Sequence, residues 1–172
     1  MTEQESAPGG TVTSAVAQEL LRRLAARRWS IGTAESLTGG LLASAIVEIP
    51  GSSQWMRGGV VAYDTAVKRT VLAVDAALLE EHGAVHPDVA RQMASGIRRV
   101  LALGDEEALV GISTTGIAGP ASPDGQPVGT VHVAVSTPER VAVASHVFDG
   151  DRTAIRAQAV LAALDLAVAE LA

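Results

Sequence analysis

Cysteine is absent from this chain of 172 residues, which excludes disulfides, thiolate metal sites and a cysteine nucleophile together. Aromatic residues are almost as scarce, since two Trp, one Tyr and one Phe make up 2% of the sequence. A core must therefore be built from Ala, Val, Leu and Ile, and a hydrophobic content of 48% supplies enough of them for a single domain. Positive charge is not in excess either. The net charge is −6 and the pI near 5.1, which argues against a nucleic-acid partner held by a basic surface. Long apolar runs are missing as well. The acidic, polar start from Met1 to Gly10 has no signal-peptide character, and nothing later is long and apolar enough to span a bilayer. The expectation is a soluble, cytoplasmic protein with no membrane partner, a flexible tail over residues 1–10 and one domain over 11–172.

What is present is a regular alternation of helical and extended patterns. Val12, Val16, Leu20, Leu21 and Leu24 form one face of an amphipathic helix to Arg27. A short mixed run from Trp29 to Gly32 enters a strand, and Leu41, Leu42, Ala45, Ile46 and Ile49 fall at helical spacing. Gly58 to Tyr63 reads as a buried strand opening on two glycines, and Asp64 or Thr65 caps the helix after it. Ala76 to His82 and Pro87 to about Leu103 read as helices, Ala108 to Thr114 as a strand, and Thr115 to Pro127 as a Gly/Pro-rich loop. Val128 to Ser136 and Val141 to Phe148 form a hairpin through Thr137-Pro138-Glu139-Arg140, and a last helix runs to about Leu171. This order predicts an α/β fold, a three-layer α/β/α arrangement with a mixed sheet covered on both faces.

Three chemically capable segments fall at or beyond strand C-terminal ends, where open α/β sheets bind ligands. The first is Thr33-Ala34-Glu35-Ser36-Leu37-Thr38-Gly39-Gly40. Ser36 stands at a strand-to-helix turn, and the N–H groups near Thr38, Gly39 and Gly40 are placed to hold an oxyanion beside a serine nucleophile. The same residues serve equally well as a helix cap with turn glycines. The second is Tyr63, the only tyrosine, with Lys68 five residues on. A lysine is a useful base only when desolvation or a neighbouring charge lowers its pKa, and a tyrosine hydroxyl beside it relays or orients a proton. A half-buried ring and a solvated lysine account for the same spacing. The third is the loop Ser113 to Pro120, in which Thr115, Gly116 and Gly119 offer a hydroxyl and permissive backbone for a phosphate or ribose. Arg152 and Arg156 open the last helix one turn apart, where a basic residue calls for an anion or an acidic partner. The four histidines show no metal-ligand spacing, so neither metal nor cofactor is expected.

Several of these stretches together resemble one family. Thr33 to Gly40, Gly59-Val60-Val61-Ala62-Tyr63 with Lys68, Thr115-Gly116-Ile117-Ala118-Gly119-Pro120 and Phe148-Asp149-Gly150-Asp151-Arg152 look like the CinA C-terminal domain. Gly83-Ala84-Val85 and Pro127 to Val131 fit the same pattern, and the resemblance covers roughly Leu20 to the C-terminus. It implies an α/β/α fold, homo-oligomers and no required metal. It further implies a nicotinamide-nucleotide amidohydrolase, converting nicotinamide mononucleotide to nicotinate mononucleotide and ammonia, with Ser36 as nucleophile and Lys68 and Tyr63 as its activating partners. Where the family often has Ser-Asn after the tyrosine, this chain has Asp64-Thr65. Its length matches the standalone form rather than the form fused behind a nucleotide-hydrolysing domain. The rival expectations are a noncatalytic nucleotide- or partner-binding module linked to competence or DNA damage, an amidase on another aromatic amide, and phosphoanhydride hydrolysis, for which the candidate mouth has few carboxylates beyond Glu35 and Asp64.

Overall fold

The computed structural model describes residues 8–122 and 125–172. The first element is helix α1 (Pro8–Arg27), which places Ala17, Leu20 and Leu24 fully inside. It starts within the stretch expected to be a tail, and the remainder of that stretch, residues 1–7, lies outside the described residues. Then follow strand β1 (Ile31–Glu35), helix α2 (Leu41–Val47), a 3-10 turn (Ser52–Gln54) and strand β2 (Met56–Val61). Helices α3 (Thr65–Thr70), α4 (Ala76–His82) and α5 (Pro87–Val100) lead to strands β3 (Val110–Gly116), β4 (Thr130–Ser136) and β5 (Val141–Val147), and α6 (Arg152–Glu170) closes the chain.

The strands form one sheet in the order β2-β1-β3-β4-β5. β1 runs parallel to β2 and β3, whereas β3/β4 and β4/β5 are antiparallel, so the sheet is mixed as the alternation of elements predicts. One face carries Ile31, Val110, Ile112, Val131, Val133 and Val135 against α1, α2 and α6. On the other, Ala34 meets Leu72, Val89, Met93 and Ile97 from the α3 to α5 side, which completes the three layers. The scarcity of large rings goes with close approach of backbones: a Cβ at Gly111 in β3 would stand 2.0 Å from the Ala94 carbonyl oxygen of α5.

Among the differences from the expectation, those at β2, β3 and β1 each have a local reason. β2 is an edge strand rather than a buried one, and Gly58 and Gly59 lie in its middle. A Cβ at Gly59 would fall 2.3 Å from Thr33 Oγ1, so the neighbouring strand's hydroxyl fills the space of a side chain. β3 runs two residues further than expected because Thr115 and Gly116 still pair with His132 and Val131. β1 extends to Glu35, whose polar side chain looks like loop in sequence but is fully satisfied inside. The C-terminal ends of the parallel strands β1, β2 and β3 thus share one edge, and that edge holds the candidate site.

Candidate active site

Glu35 ends β1, is buried, and determines the shape of the turn that follows. Its carboxylate accepts from Gly40 N at 2.9 Å, Leu42 N at 3.0 Å and Ala43 N at 2.8 Å, so it caps the start of α2 from inside. Gly39 and Gly40 adopt φ of 59° and 99°, which bends the chain back over that carboxylate. Gly39 N–H donates to Ser36 O at 3.1 Å. The Gly39 and Gly40 N–H groups, expected to serve an oxyanion, are therefore engaged elsewhere. Among the described residues, the N–H groups of Leu37 and Thr38 have no acceptor. Thr38 keeps its place in the turn through a buried contact of 2.8 Å between its Oγ1 and Thr114 Oγ1.

Ser36 is 9% exposed, and its backbone N–H still bonds Thr114 O at 3.0 Å, so the nucleophile candidate is anchored to the end of β3. Lys68 reaches it from the neighbouring helix. Asp64 caps α3 by accepting from Ala66 N at 2.7 Å, and one turn later Lys68 points back under the end of β2. Its Nζ lies 3.1 Å from Ser36 Oγ, 2.6 Å from Ala62 O and 3.4 Å from Tyr63 O. Lys68 is 1% exposed. Burial pulls its pKa from the ordinary 10.5 down to about 8, against a smaller upward pull from the Asp64 charge.

The acceptor set decides what that amine can do. A neutral amine has two N–H bonds and one lone pair, and the Ala62 and Tyr63 carbonyls can only accept. With both N–H bonds aimed at carbonyls, the lone pair is left for the Ser36 hydroxyl, which then donates. The protonated amine donates to Ser36 Oγ instead.

Tyr63 is not placed as an activator of this pair. Its ring is 61% exposed and its hydroxyl accepts from Arg152 Nη2 at 3.0 Å, while only its carbonyl oxygen faces Lys68. The ring falls past the end of an edge strand, where the chain leaves the sheet. Arg152 also donates through Nη1 to Gly119 O at 2.8 Å, so one guanidinium links the tyrosine to the loop across the mouth.

Between floor and rim lies a cavity of about 400 Å³, within the usual range for small-molecule sites. It brings together Ser36, Tyr63, Lys68, Thr115, Gly116, Gly119 and Arg152 of the expected residues, while Thr38, Gly39 and Gly40 lie behind the turn and do not line it. Thr115 contributes no free hydroxyl, since its Oγ1 donates to Ala84 O at 2.6 Å and fastens the Gly83–Val85 wall to β3. Leu79 and Val85 of that wall were not singled out by sequence chemistry, having no polar group to draw attention. Among the described residues that line the cavity none is Asp, Glu or His, and the charges they bring are the cations of Arg152 and, when protonated, Lys68. The histidines lie outside it: His86 caps α5 by accepting from Asp88 N at 3.2 Å, and His132 Nδ1 pairs with Ser145 Oγ at 2.8 Å. Among the described residues, no group of three or more His, Asp or Glu is arranged to hold a metal.

Comparison with known proteins places this geometry. The family model for the CinA C-terminal domain matches residues 4–171. A CinA-like protein of Frankia casuarinae is 43% identical over 147 residues, covering 86% of this chain and 33% of that protein. A putative competence-damage inducible protein of Caldanaerobacter subterraneus is 44% identical over 149 residues, 86% of this chain and 35% of the relative. The chain thus spans about a third of the length of these curated relatives. A crystal structure of a competence-damaged protein (CinA) superfamily member from Klebsiella pneumoniae superposes with a TM-score of 0.86 at 35% identity, over 92% of this chain and 97% of that one. A competence/damage inducible protein of Agrobacterium tumefaciens gives a TM-score of 0.83 at 34% identity, over 98% of each chain.

Proposed function

The chain belongs to the CinA C-terminal domain family, and on that premise we propose that it hydrolyses the carboxamide of nicotinamide mononucleotide, giving nicotinate mononucleotide and ammonia. The observation that carries this reading is the buried Lys68 amine 3.1 Å from Ser36 Oγ. Neutral Lys68 takes the Ser36 proton as Oγ bonds to the carboxamide carbon, and the oxyanion that forms meets the unengaged N–H of Leu37, a residue that lines the cavity. The ammonium of Lys68 returns that proton to the amide nitrogen, the C–N bond breaks, and ammonia leaves an acyl-serine. Water then attacks the acyl carbon and gives one proton to Lys68, which passes it to Ser36 Oγ as the intermediate collapses, and the acid released loses its remaining proton to solvent as the carboxylate. The apolar wall of Leu79, Val85 and Ile117 suits a flat ring, and Arg152 at the rim suits the substrate's phosphate.

The described residues that line the cavity bring cations and no carboxylate, which favours an anionic substrate over a phosphoanhydride that needs a metal held by carboxylates. The test is ammonia release from nicotinamide mononucleotide in the presence of EDTA, by the wild type and by Ser36→Ala and Lys68→Ala. Release that survives EDTA and falls by about a hundredfold or more in both variants supports the reading. A folded wild type that releases none points instead to a noncatalytic nucleotide- or partner-binding module, or to another amide.

A further inference from the structure

The cavity wall formed by Gly83, Ala84 and Val85 has a histidine at either end. Before it His82 closes α4, and after it His86 caps α5. The two rings stack, with centroids 4.6 Å apart and planes 14° from parallel. Between them the wall is tied down at two carbonyls, Ala84 O by Thr115 Oγ1 at 2.6 Å and Val85 O by Gln126 Nε2 at 2.8 Å. Imidazoles hold its ends, and neutral donors hold its middle.

What His86 does there depends on one proton. Its Nδ1 accepts the Asp88 N–H at 3.2 Å, which an imidazole nitrogen does only while it carries no proton itself. A proton on Nδ1 turns this acceptor into a donor. The first turn of α5 then loses its cap, and a positive charge stands at the positive end of that helix. The charged ring has another partner within a small movement: Asp88 Oδ2 is 3.8 Å from Nδ1, while Asp88 Oδ1 accepts from Arg91 Nε at 3.2 Å. On α4, Glu81 Oε1 lies 3.6 Å from His82 Nε2, so His82 also has a carboxylate to meet when charged. Two charged rings held face to face repel each other. From β4, His132 is near enough to feel His86, and burial first, then the charges of His86 and His146, hold its pKa below the ordinary 6.5.

We propose that His86 is a positioning residue: with Nδ1 unprotonated it holds the Gly83–Val85 wall against the cavity, and protonation of the stacked pair releases that wall. Histidine is the side chain whose charge ordinarily changes between about pH 5 and 8, so the wall loosens as the medium turns acidic. The proposal concerns the cavity described above, and only its kinetic test rests on the reaction proposed for it.

The variants are His86→Asn, whose side-chain oxygen caps a helix at any pH, and His82→Phe, which keeps a ring in the stack without a charge. The ratio of wild-type to His86→Asn KM for nicotinamide mononucleotide is expected to rise about tenfold from about pH 7.5 to about pH 5.5. Ionisation of the substrate's own phosphate cancels in that ratio, and the acid decline of kcat, set by Lys68, is common to both proteins. The same ratio for wild type against His82→Phe rises less, because that variant keeps the titrating cap and loses only the repulsion between rings. A cap that serves stability alone leaves both ratios constant over pH. Amide NMR reads the event without substrate: the Asp88, Ala84 and Val85 signals move together with pH in the wild type and stay in place in His86→Asn. Should His86→Asn fail to fold, His86→Ser, another capping residue, takes its place. A KM ratio that does not change with pH, or an Asp88 signal that titrates while those of Ala84 and Val85 do not, overturns the proposal. If the wild type releases no ammonia, the substrate reading fails by itself, and the NMR titration alone decides the role of His86.

Discussion

The floor and the rim of the cavity are each closed by a cation on a hydroxyl at nearly the same distance: Lys68 Nζ to Ser36 Oγ at 3.1 Å, and Arg152 Nη2 to Tyr63 Oη at 3.0 Å. Exposure to solvent is what differs between them. Lys68 is 1% exposed and Tyr63 is 61% exposed. At the floor, desolvation disfavours the ammonium and brings its pKa to about 8, which makes the amine a usable base near neutral pH. At the rim, solvent screens the guanidinium, and its bond to the tyrosine exchanges for an anion's oxygen with little net change. Bond length is thus a poor guide to role here. On the proposed reading, burial puts the chemistry at the floor and binding at the rim.

The sharpest way to break this contrast is to remove the buried amine. Lys68→Met should lose about a hundredfold or more in kcat while gaining stability, since an apolar side chain of similar length replaces a charge that burial disfavours. The unfolded chain holds the lysine proton up to about 10.5 and the folded chain releases it near 8, so between those values the unfolded state binds more protons. Wild-type stability therefore rises with pH across that window. The advantage of Lys68→Met, on the order of 2 kcal/mol at pH 7 in urea unfolding, should shrink as pH climbs through it.

At the rim the effects are smaller and fall on binding. Arg152→Gln should raise KM for nicotinamide mononucleotide about tenfold with kcat within about threefold, and leave KM for nicotinamide riboside, which lacks the phosphate, unchanged. A comparable rise for the riboside would mean that Arg152 shapes the mouth rather than meeting the phosphate. Tyr63→Phe should change kcat by no more than about threefold, because the hydroxyl touches Arg152 and only the backbone carbonyl touches Lys68. A hundredfold loss there would restore the phenol as a proton relay.

Much of this was legible in the sequence because it is local. Apolar spacing marked α1 and α2, the pair Asp64-Thr65 marked the cap of α3, and the late hairpin marked the antiparallel half of the sheet. Ser36 and Lys68 drew attention in the sequence as a hydroxyl at a strand-to-helix corner and a lysine five residues past the only tyrosine. The errors arose where a residue's meaning depends on a distant partner. Glu35 reads as a turn residue until three N–H groups close on it from α2, and in doing so they remove Gly40 from the oxyanion donors. Gly59 reads as the opening of a buried strand until Thr33 from the adjacent strand is seen to fill its side-chain space. Thr115 reads as a free hydroxyl until Ala84, far along the chain, accepts its proton. Arg156 reads as a cation calling for an anion or an acidic partner, and only the fold brings the Leu37 and Thr38 carbonyls to it.

The assignment of Lys68 as a buried base is tested most directly by the pH dependence of kcat/KM for nicotinamide mononucleotide, which reports the free enzyme's essential groups. The expected profile rises as the ammonium is lost and levels off above an inflection near 8, and Lys68→Met abolishes that inflection. A wild-type inflection near the ordinary lysine value of 10.5, or the same inflection retained in Lys68→Met, would contradict it.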